Sequence, residues 1–322
     1  PGLQVGNPNQ PVHKILVALD MTELNISYAI DHGVDMVISH HPFLFKPIHD
    51  IDLSTCKGRM IENLIRHRIT SFAAHTNLDS AVQGVNDALA EKLGLQECKG
   101  FVPVMTYSSY KFTLYITAAH AKLLKKKLDS LRGKDIESYY VVDDADDFTE
   151  NIRVEFRVPG QLVKQVKDMI SSLDKSAKYD VYKLVNHGYK ETMGRIGKFP
   201  FPMSVEEALS YVKNKLEIPV LRYAGNRDRL VEKIAILGGA GAEFAGVAKS
   251  MGADLYLTGD LKYHEAQDAA MNGLVIADGG HFYTERVIIP YLAKRLRDEF
   301  KTRGWNVGVL EDVRAKDIFH CV

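Results

Sequence analysis

The chain has 322 residues, which at about 100–200 residues per domain divides into two or three domains. Its 41 Lys and Arg balance 41 Asp and Glu, so it lacks the bulk positive field of a general nucleic-acid binder. Hydrophobic residues at 46% and charged residues at 25% are globular usage, which excludes wholesale disorder.

Six short apolar runs end in Asp, His or Gly and then give way to a helical pattern. The first three are Ile15 to Asp20, Met36 to His41 and Ser71 to Asp79. After a long gap come Ile234 to Gly239, Leu255 to Asp260 and Leu274 to His281. Continuous apolar runs bounded by turn residues predict strands buried on both faces. Strand–helix alternation predicts an α/β fold, here with two similar halves, and ligands outside the carboxyl ends of the strands.

The gap reads differently. Tyr110 to Thr117 alternates like a half-buried strand. His120 to Arg132 forms an amphipathic helix with Leu123, Leu124, Leu128 and Leu131 inward. Glu137 to Val142 and Ile152 to Val158 alternate again, around an acidic turn at Asp143–Asp147. Gln161 to Leu173 is a second helix, with Leu162, Val166, Met169 and Ile170 on one face, and Tyr179 to Val185 a last strand. The order β-α-β-β-α-β predicts a ferredoxin-like α+β domain over 106–187, inserted between core halves 1–105 and 188–322.

Cys56, Cys98 and Cys321 are odd in number and widely spaced, so neither a disulfide framework nor a thiolate zinc site is indicated. A reducing, cytoplasmic compartment is expected. No apolar run is long enough for a membrane span, and no signal peptide is read.

His40 and His41 end a predicted strand, where successive side chains point to opposite sides. Two neighbouring cations can therefore take one each; the alternative is two partly exposed histidines at a loop start. Asp79 is either a third donor or an ordinary turn or cap residue. His281 and Glu285 lie one helical turn apart, a spacing that can grip a metal but that surface helices also show. All five fall at carboxyl ends of predicted strands or one turn beyond. Histidines and carboxylates without Cys suit two divalent ions, Zn, Fe or Mn. His75 and His264 are candidate proton carriers, or with Asp260 orient the ligands; His264 can equally cap or pack its helix. The turn Ile236 to Gly241 resembles a phosphate cradle but lacks a Walker lysine, and a plain tight turn is the alternative. Lys122, Lys125, Lys126 and Lys127 read as a solvated helix face.

Together, Pro1-Gly-Leu-Gln-Val-Gly6, Ser39-His-His-Pro-Phe-Leu-Phe45, His75-Thr-Asn-Leu-Asp79, Thr258-Gly-Asp-Leu-Lys-Tyr-His264 and Asp278-Gly-Gly-His281 with Glu285 resemble the NIF-three-like family. Its bacterial members are called GTP cyclohydrolase 1 type 2 homologues. The resemblance covers both outer segments, and the middle looks like the PII/CutA-like insert of longer members. It implies a dinuclear site, with His41 and Asp79 on one cation, His40 and His281 on the other, and Glu285 bridging. It also implies a homohexamer, a trimer of dimers, and a metal-dependent hydrolase acting on a nucleotide or other phosphorylated small molecule. The alternative is a non-catalytic metal-binding regulatory assembly with a ligand-sensing insert. A nucleic-acid partner is disfavoured by the zero net charge. Ala240 departs from the Ser that the family often carries there, which weakens any phosphate site at that turn.

Overall fold

Each of the six apolar runs supplies a parallel strand in the computed structural model, which describes residues 1–129, 131, 137–142 and 151–320. The acidic turn at Asp143–Asp147, the end of the helix predicted to reach Arg132, and Cys321 lie outside the described residues. The chain divides into two compact units, Pro1–Val102 with Thr192–Val322, and Pro103–Glu191.

The first unit holds two sheets. In the first, β1 (Gly2–Val5), β2 (Lys14–Ala18), β3 (Met36–Ser39), β4 (Thr70–Ala73) and β15 (Gly308–Glu311) lie in the order β1-β4-β3-β2-β15. Only β1 runs antiparallel. In the second, β5 (Gln96–Lys99), β10 (Arg195–Ser204), β11 (Arg222–Ala224), β12 (Leu230–Ala240), β13 (Leu255–Gly259) and β14 (Val275–Asp278) lie in the order β11-β14-β13-β12-β10-β5. Its parallel trio β12-β13-β14 is flanked by antiparallel strands.

The parallel strands of both sheets are mostly apolar because helices cover both faces. Leu16 and Ala18 of β2 pack with Ile26 and Ala29 of α1 (Glu23–Asp31) and with Met60, Ile61 and Leu64 of α2 (Cys56–Arg66). Ile15 and Val17 point the other way, to Ile288, Ile289 and Ala293 of α11 (Ile288–Arg303). In the second sheet, Ile234 and Ile236 pack on α4 (Val85–Lys92) and α7 (Val205–Leu216), while Ala235 and Leu237 face α8 (Ala245–Ser250) and α9 (Tyr263–Met271). Each such Leu or Ile contributes about 1.5–3 kcal/mol by its burial. Two short helices complete the unit, α3 (Thr76–Asp79) and α10 (His281–Glu285).

In the second unit and its margins the elements run β6 (Val102–Thr117), α5 (Ala118–Asp129), β7 (Glu137–Val142), β8 (Asn151–Pro159), α6 (Val163–Leu173) and β9 (Lys178–Met193). The sheet order is β7-β8-β6-β9, with β8 antiparallel to both β7 and β6. Phe112, Leu114 and Ile116 of β6 alternate inward and meet Leu124, Leu128, Val166 and Ile170 from the two helices. Leu123, predicted inward, is 50% exposed. The helical period aligns Leu124 with Leu128 and leaves Leu123 on the flank. Lys122, Lys125, Lys126 and Lys127 are exposed, with Lys127 Nζ 3.1 Å from Ser172 Oγ.

Candidate metal centre

The parallel strands of the two sheets deliver their polar residues at their carboxyl ends, where side chains can converge beyond the sheets. After β3 the chain stays extended, with the His40 and His41 amides donating to Ala18 and Leu19 carbonyls at 3.1 and 2.9 Å. Alternation then separates the two rings. His40 turns inward, 2% exposed, with Nδ1 2.9 Å from the Ala74 carbonyl. His41 turns outward, with Nδ1 2.7 Å from Asp20 Oδ1. His75 precedes α3, and Asp79 ends it.

From the second half come His281 and Glu285, the first and last residues of α10. The helix can start so abruptly because Gly280, its cap, holds φ +76, a conformation costly for side-chain-bearing residues. The turn after β12 must also be glycine: a Cβ on Gly239 would lie 2.3 Å from Glu285 Oε1, at φ +68. Gly239 instead donates its amide to Thr284 Oγ1, 3.0 Å away, and Gly238 donates to Asn86 Oδ1 at 3.0 Å. These amides are engaged within the protein, so the turn at Ile236–Gly241 is a tight packing turn rather than a phosphate cradle. Asn86 also donates to the Asp79 carbonyl at 3.0 Å, pinning α3 to that turn.

The result brings five side chains together. Glu285 presents Oε1 to His40 Nε2 at 3.6 Å, and Oε2 to His41 Nε2 at 2.9 Å and His281 Nε2 at 3.1 Å. Asp79 Oδ1 lies 3.5 Å from His40 Nε2. Three donor groups follow among the described residues, His40–Asp79–Glu285, His41–His281–Glu285 and His40–His41–His75, each with its ligand atoms within 4.8 Å of one another. One histidine of the tandem pair thus lies in each of the two groups that contain Glu285, but the partition differs from the one the resemblance implies. His40, not His41, meets Asp79, because the inward ring faces α3. His41 and His281 meet instead, their Nε2 atoms 3.2 Å apart.

The buried His40 Nε2 and Asp79 Oδ1 have no hydrogen-bond partner. Buried polar atoms are rarely left so, and a cation between them would satisfy both. The donor chemistry, imidazole and carboxylate without thiolate, fits Zn, Fe or Mn. Burial pushes the Asp79 carboxyl up to about 6, against the pull of nearby His40. Burial opposes charge on His41 too, but its hydrogen bonds to Asp20 and Glu285 prevail and raise it to about 10. The hydrogen bond to Glu285 leads in raising His281 to about 9, against burial and with help from Asp260. Burial works against a charged Glu285, yet the surrounding histidines hold it well below the usual carboxylate range.

His75 belongs to the neighbourhood: its ring centroid lies 5.3 Å from that of His40 and 5.7 Å from that of His41. Burial, then the two neighbouring rings, lower its pKa. His264 does not join. It is exposed on α9, its ring 5.3 Å from that of Tyr263 and Nδ1 3.5 Å from Gln267 Oε1. The i, i+4 spacing from Asp260 carries it past the strand exit and onto the outer helix surface. Asp260, by contrast, stays at the exit with Oδ2 2.7 Å from His281 Nδ1. The sequence reading missed Asp20, Asn86 and Thr284. Only Asp20 had a signal, as a carboxylate closing the first apolar run.

A cavity of about 1250 Å³ opens beside the cluster, lined among others by His41, His281, Asp20, Asp260, Arg222 and Arg314. Among the described residues, no helix is long and apolar enough to cross a membrane.

The family described as Duf34/NIF3 (NGG1p interacting factor 3) matches residues 1–316. The chain belongs to the DUF34/NIF3 family. A relative from Halalkalibacterium halodurans, named GTP cyclohydrolase 1 type 2 homolog, is 33% identical across 99% of this chain and 92% of its own length. A Bacillus subtilis protein of the same name is 32% identical across 96% and 89%. The crystal structure of a Bacillus cereus protein related to NIF3 superposes with a TM-score of 0.88 at 34% identity, covering 100% of this chain and 92% of that one. DUF34/NIF3 membership thus agrees with the mixed α/β core and its several sheets.

Proposed function

We propose that this DUF34/NIF3 protein is a dinuclear metal-dependent hydrolase acting on a nucleotide or other phosphorylated small molecule. The observation that carries the reading is Glu285, buried and presenting one carboxylate oxygen to each of two His-containing donor groups. His40, Asp79 and Glu285 would hold one divalent cation; His41, His281 and Glu285 would hold the other. When bound, such a pair supplies Lewis acidity and a water-derived nucleophile at neutral pH. The relatives' name, GTP cyclohydrolase 1 type 2 homolog, points to GTP; opening of its imidazole ring would add water at a ring carbon, break that carbon's bond to a ring nitrogen and place a proton on that nitrogen. His75 stands close enough to the cluster to carry that proton, and its lowered pKa leaves it neutral and ready to accept one at pH 7. Arg222 and Arg314 at the cavity wall suit phosphate oxygens.

The segment 106–187 is proposed to be an inserted ferredoxin-like domain of PII/CutA type. Its order β-α-β-β-α-β and the sheet order β7-β8-β6-β9 support that. The same scaffold favours a second reading, in which the protein is a regulatory assembly that binds metal and senses a small ligand without turnover. A homohexamer and a cytoplasmic setting are further expectations, the latter supported by free Cys56 and Cys98. The deciding experiment incubates Zn-, Fe- or Mn-loaded protein with GTP and follows loss of the purine absorbance. Turnover that disappears in Glu285→Ala supports the hydrolase. No product above that of Glu285→Ala removes GTP ring opening and leaves the regulatory reading.

A further inference from the structure

The two donor groups share Glu285 but differ in everything behind it. His41 and His281 line the cavity, whereas His40 is 2% and Asp79 9% exposed. Behind His40, Nδ1 meets a neutral backbone carbonyl, that of Ala74. Behind His41 and His281, each Nδ1 meets a carboxylate at 2.7 Å, Asp20 and Asp260. Both carboxylates sit 21 residues ahead of their histidine, at the exit of the neighbouring parallel strand. Neither is placed by chance packing. Asn25 Nδ2 donates to the Asp20 carbonyl at 2.5 Å from within the α1 capping box, and Asp260 holds a left-handed φ of +54. Left-handed backbone is uncommon outside glycine, though Asp tolerates it better than most.

A carboxylate accepting Nδ1–H fixes the tautomer, aims the Nε2 lone pair and makes the imidazole a stronger donor. A carbonyl does the first two with less charge. We infer that the two cation sites are inequivalent: His40–Asp79–Glu285 forms an enclosed site, and His41–His281–Glu285 forms a cavity-facing site whose affinity is set by the paired carboxylates Asp20 and Asp260. This rests on the dinuclear reading above and adds a division within it. The enclosed ion is held by burial and by its own charged ligand Asp79. The cavity-facing ion has one carboxylate ligand, shared, and draws its remaining negative charge from two residues that never touch it. Asp20 and Asp260 are positioning residues in this scheme.

The test is a Zn²⁺ titration of the metal-free full chain by calorimetry, comparing wild type with Asp20→Ala, Asp260→Ala, Asp20→Asn and Asp260→Asn. Both carboxylates are 52% exposed, so the variants should fold, and melting of the metal-free proteins checks that. Wild type should bind two ions per chain. Each Ala variant should weaken one of the two by about 10–100-fold and leave the other unchanged. The Asn variants, which still accept Nδ1–H but carry no charge, should fall between. Co²⁺ in place of Zn²⁺ gives a second readout, a change in one component of the visible spectrum. Unchanged affinity for both ions, or an equal loss for both, overturns the division. Wild type that binds no ion overturns the dinuclear reading itself, a result distinct from either.

Discussion

In the first sheet, Asp35 accepts hydrogen bonds from the amides of His13 and Lys14 at 2.7 and 2.9 Å, while its own amide donates to the Lys14 carbonyl at 2.9 Å. In the second sheet, Asp254 does the same with Glu232 and Lys233, at 3.1, 3.0 and 2.9 Å. The next strand follows suit: Thr70 donates to the Asp35 carbonyl, and Val275 to that of Asp254. Beyond the strands, the Ala74 amide meets the Ser39 carbonyl as Gly279 meets Thr258. Each third strand then leads into a short helix with a carboxylate four residues after a histidine, His75 and Asp79 or His281 and Glu285. The likeness stops at the donors. Where the first half has the tandem histidines following Ser39 at the exit of β3, the second has Gly259 and Asp260 following Thr258 at the end of β13. His281 opens its helix and meets Glu285, whereas His75 is the cap before its helix and meets other rings instead. A repeated scaffold has therefore been equipped unequally, and the centre takes different donors from each half.

If the halves cooperate only through Glu285, its loss should have the largest effect. Glu285→Ala should abolish retention of both ions, measured by elemental analysis after gel filtration. Loss of an outer partner alone costs about 10–100-fold in affinity, and the shared donor should exceed that at both groups. Retention of one full equivalent would show the first half binding alone.

Acidity sharpens the contrast next. The folded-state values of about 10 for His41 and about 9 for His281 lie above the unfolded 6.5. Their protonation thus stabilises the metal-free fold fully below pH 6.5, and that stabilisation is lost as pH rises through 9 and 10. Melting of metal-free protein should fall over this window. Zn²⁺ affinity should rise across it, since Nε2 must shed its proton to bind. Calorimetry in buffers of different ionisation enthalpy should register protons released on binding. A pH-independent affinity would contradict the proton-held cluster.

The smallest effect tests the likeness itself. Asp35→Ala and Asp254→Ala each remove the same clamp from equivalent places. Each should lower unfolding free energy by about 1–2 kcal/mol in denaturant titrations, and by similar amounts. Markedly unequal losses would mean that the two halves share a shape without sharing its energetics.

The parallel strands were legible because burial on both faces leaves mostly apolar residues between turn signals, as in Ile234 to Leu237. The flanking strands were not. Gln96–Lys99 is polar and exposed along its whole length, so it carries no period, and it pairs only because β10 offers an edge. Arg195–Ser204 contains Pro200 and Pro202, which read as a breaker, and its pairing with β12 shifts register across them. The five clustered side chains could be named because the family resemblance picks them out among many similar spacings. Their grouping could not, since it depends on which way each ring turns at the strand exit. His264 misled for the same reason: spacing fixes a helical face, while the packing of α9 decides what that face meets.

The two sheets trade strands across the chain. Gln96–Lys99, from the first half, closes the edge of the second sheet, and Gly308–Glu311, from the end of the described chain, pairs in parallel with β2 of the first. During synthesis, the first sheet must therefore wait for Gly308–Glu311 to leave the ribosome before that edge is covered. Until then β2 presents an open row of amides and carbonyls, the kind of edge that recruits another polypeptide. Such distant pairing is intrinsically slow to form. A polypeptide halted before Gly308 would carry all five clustered side chains and still be a poor candidate to hold them still.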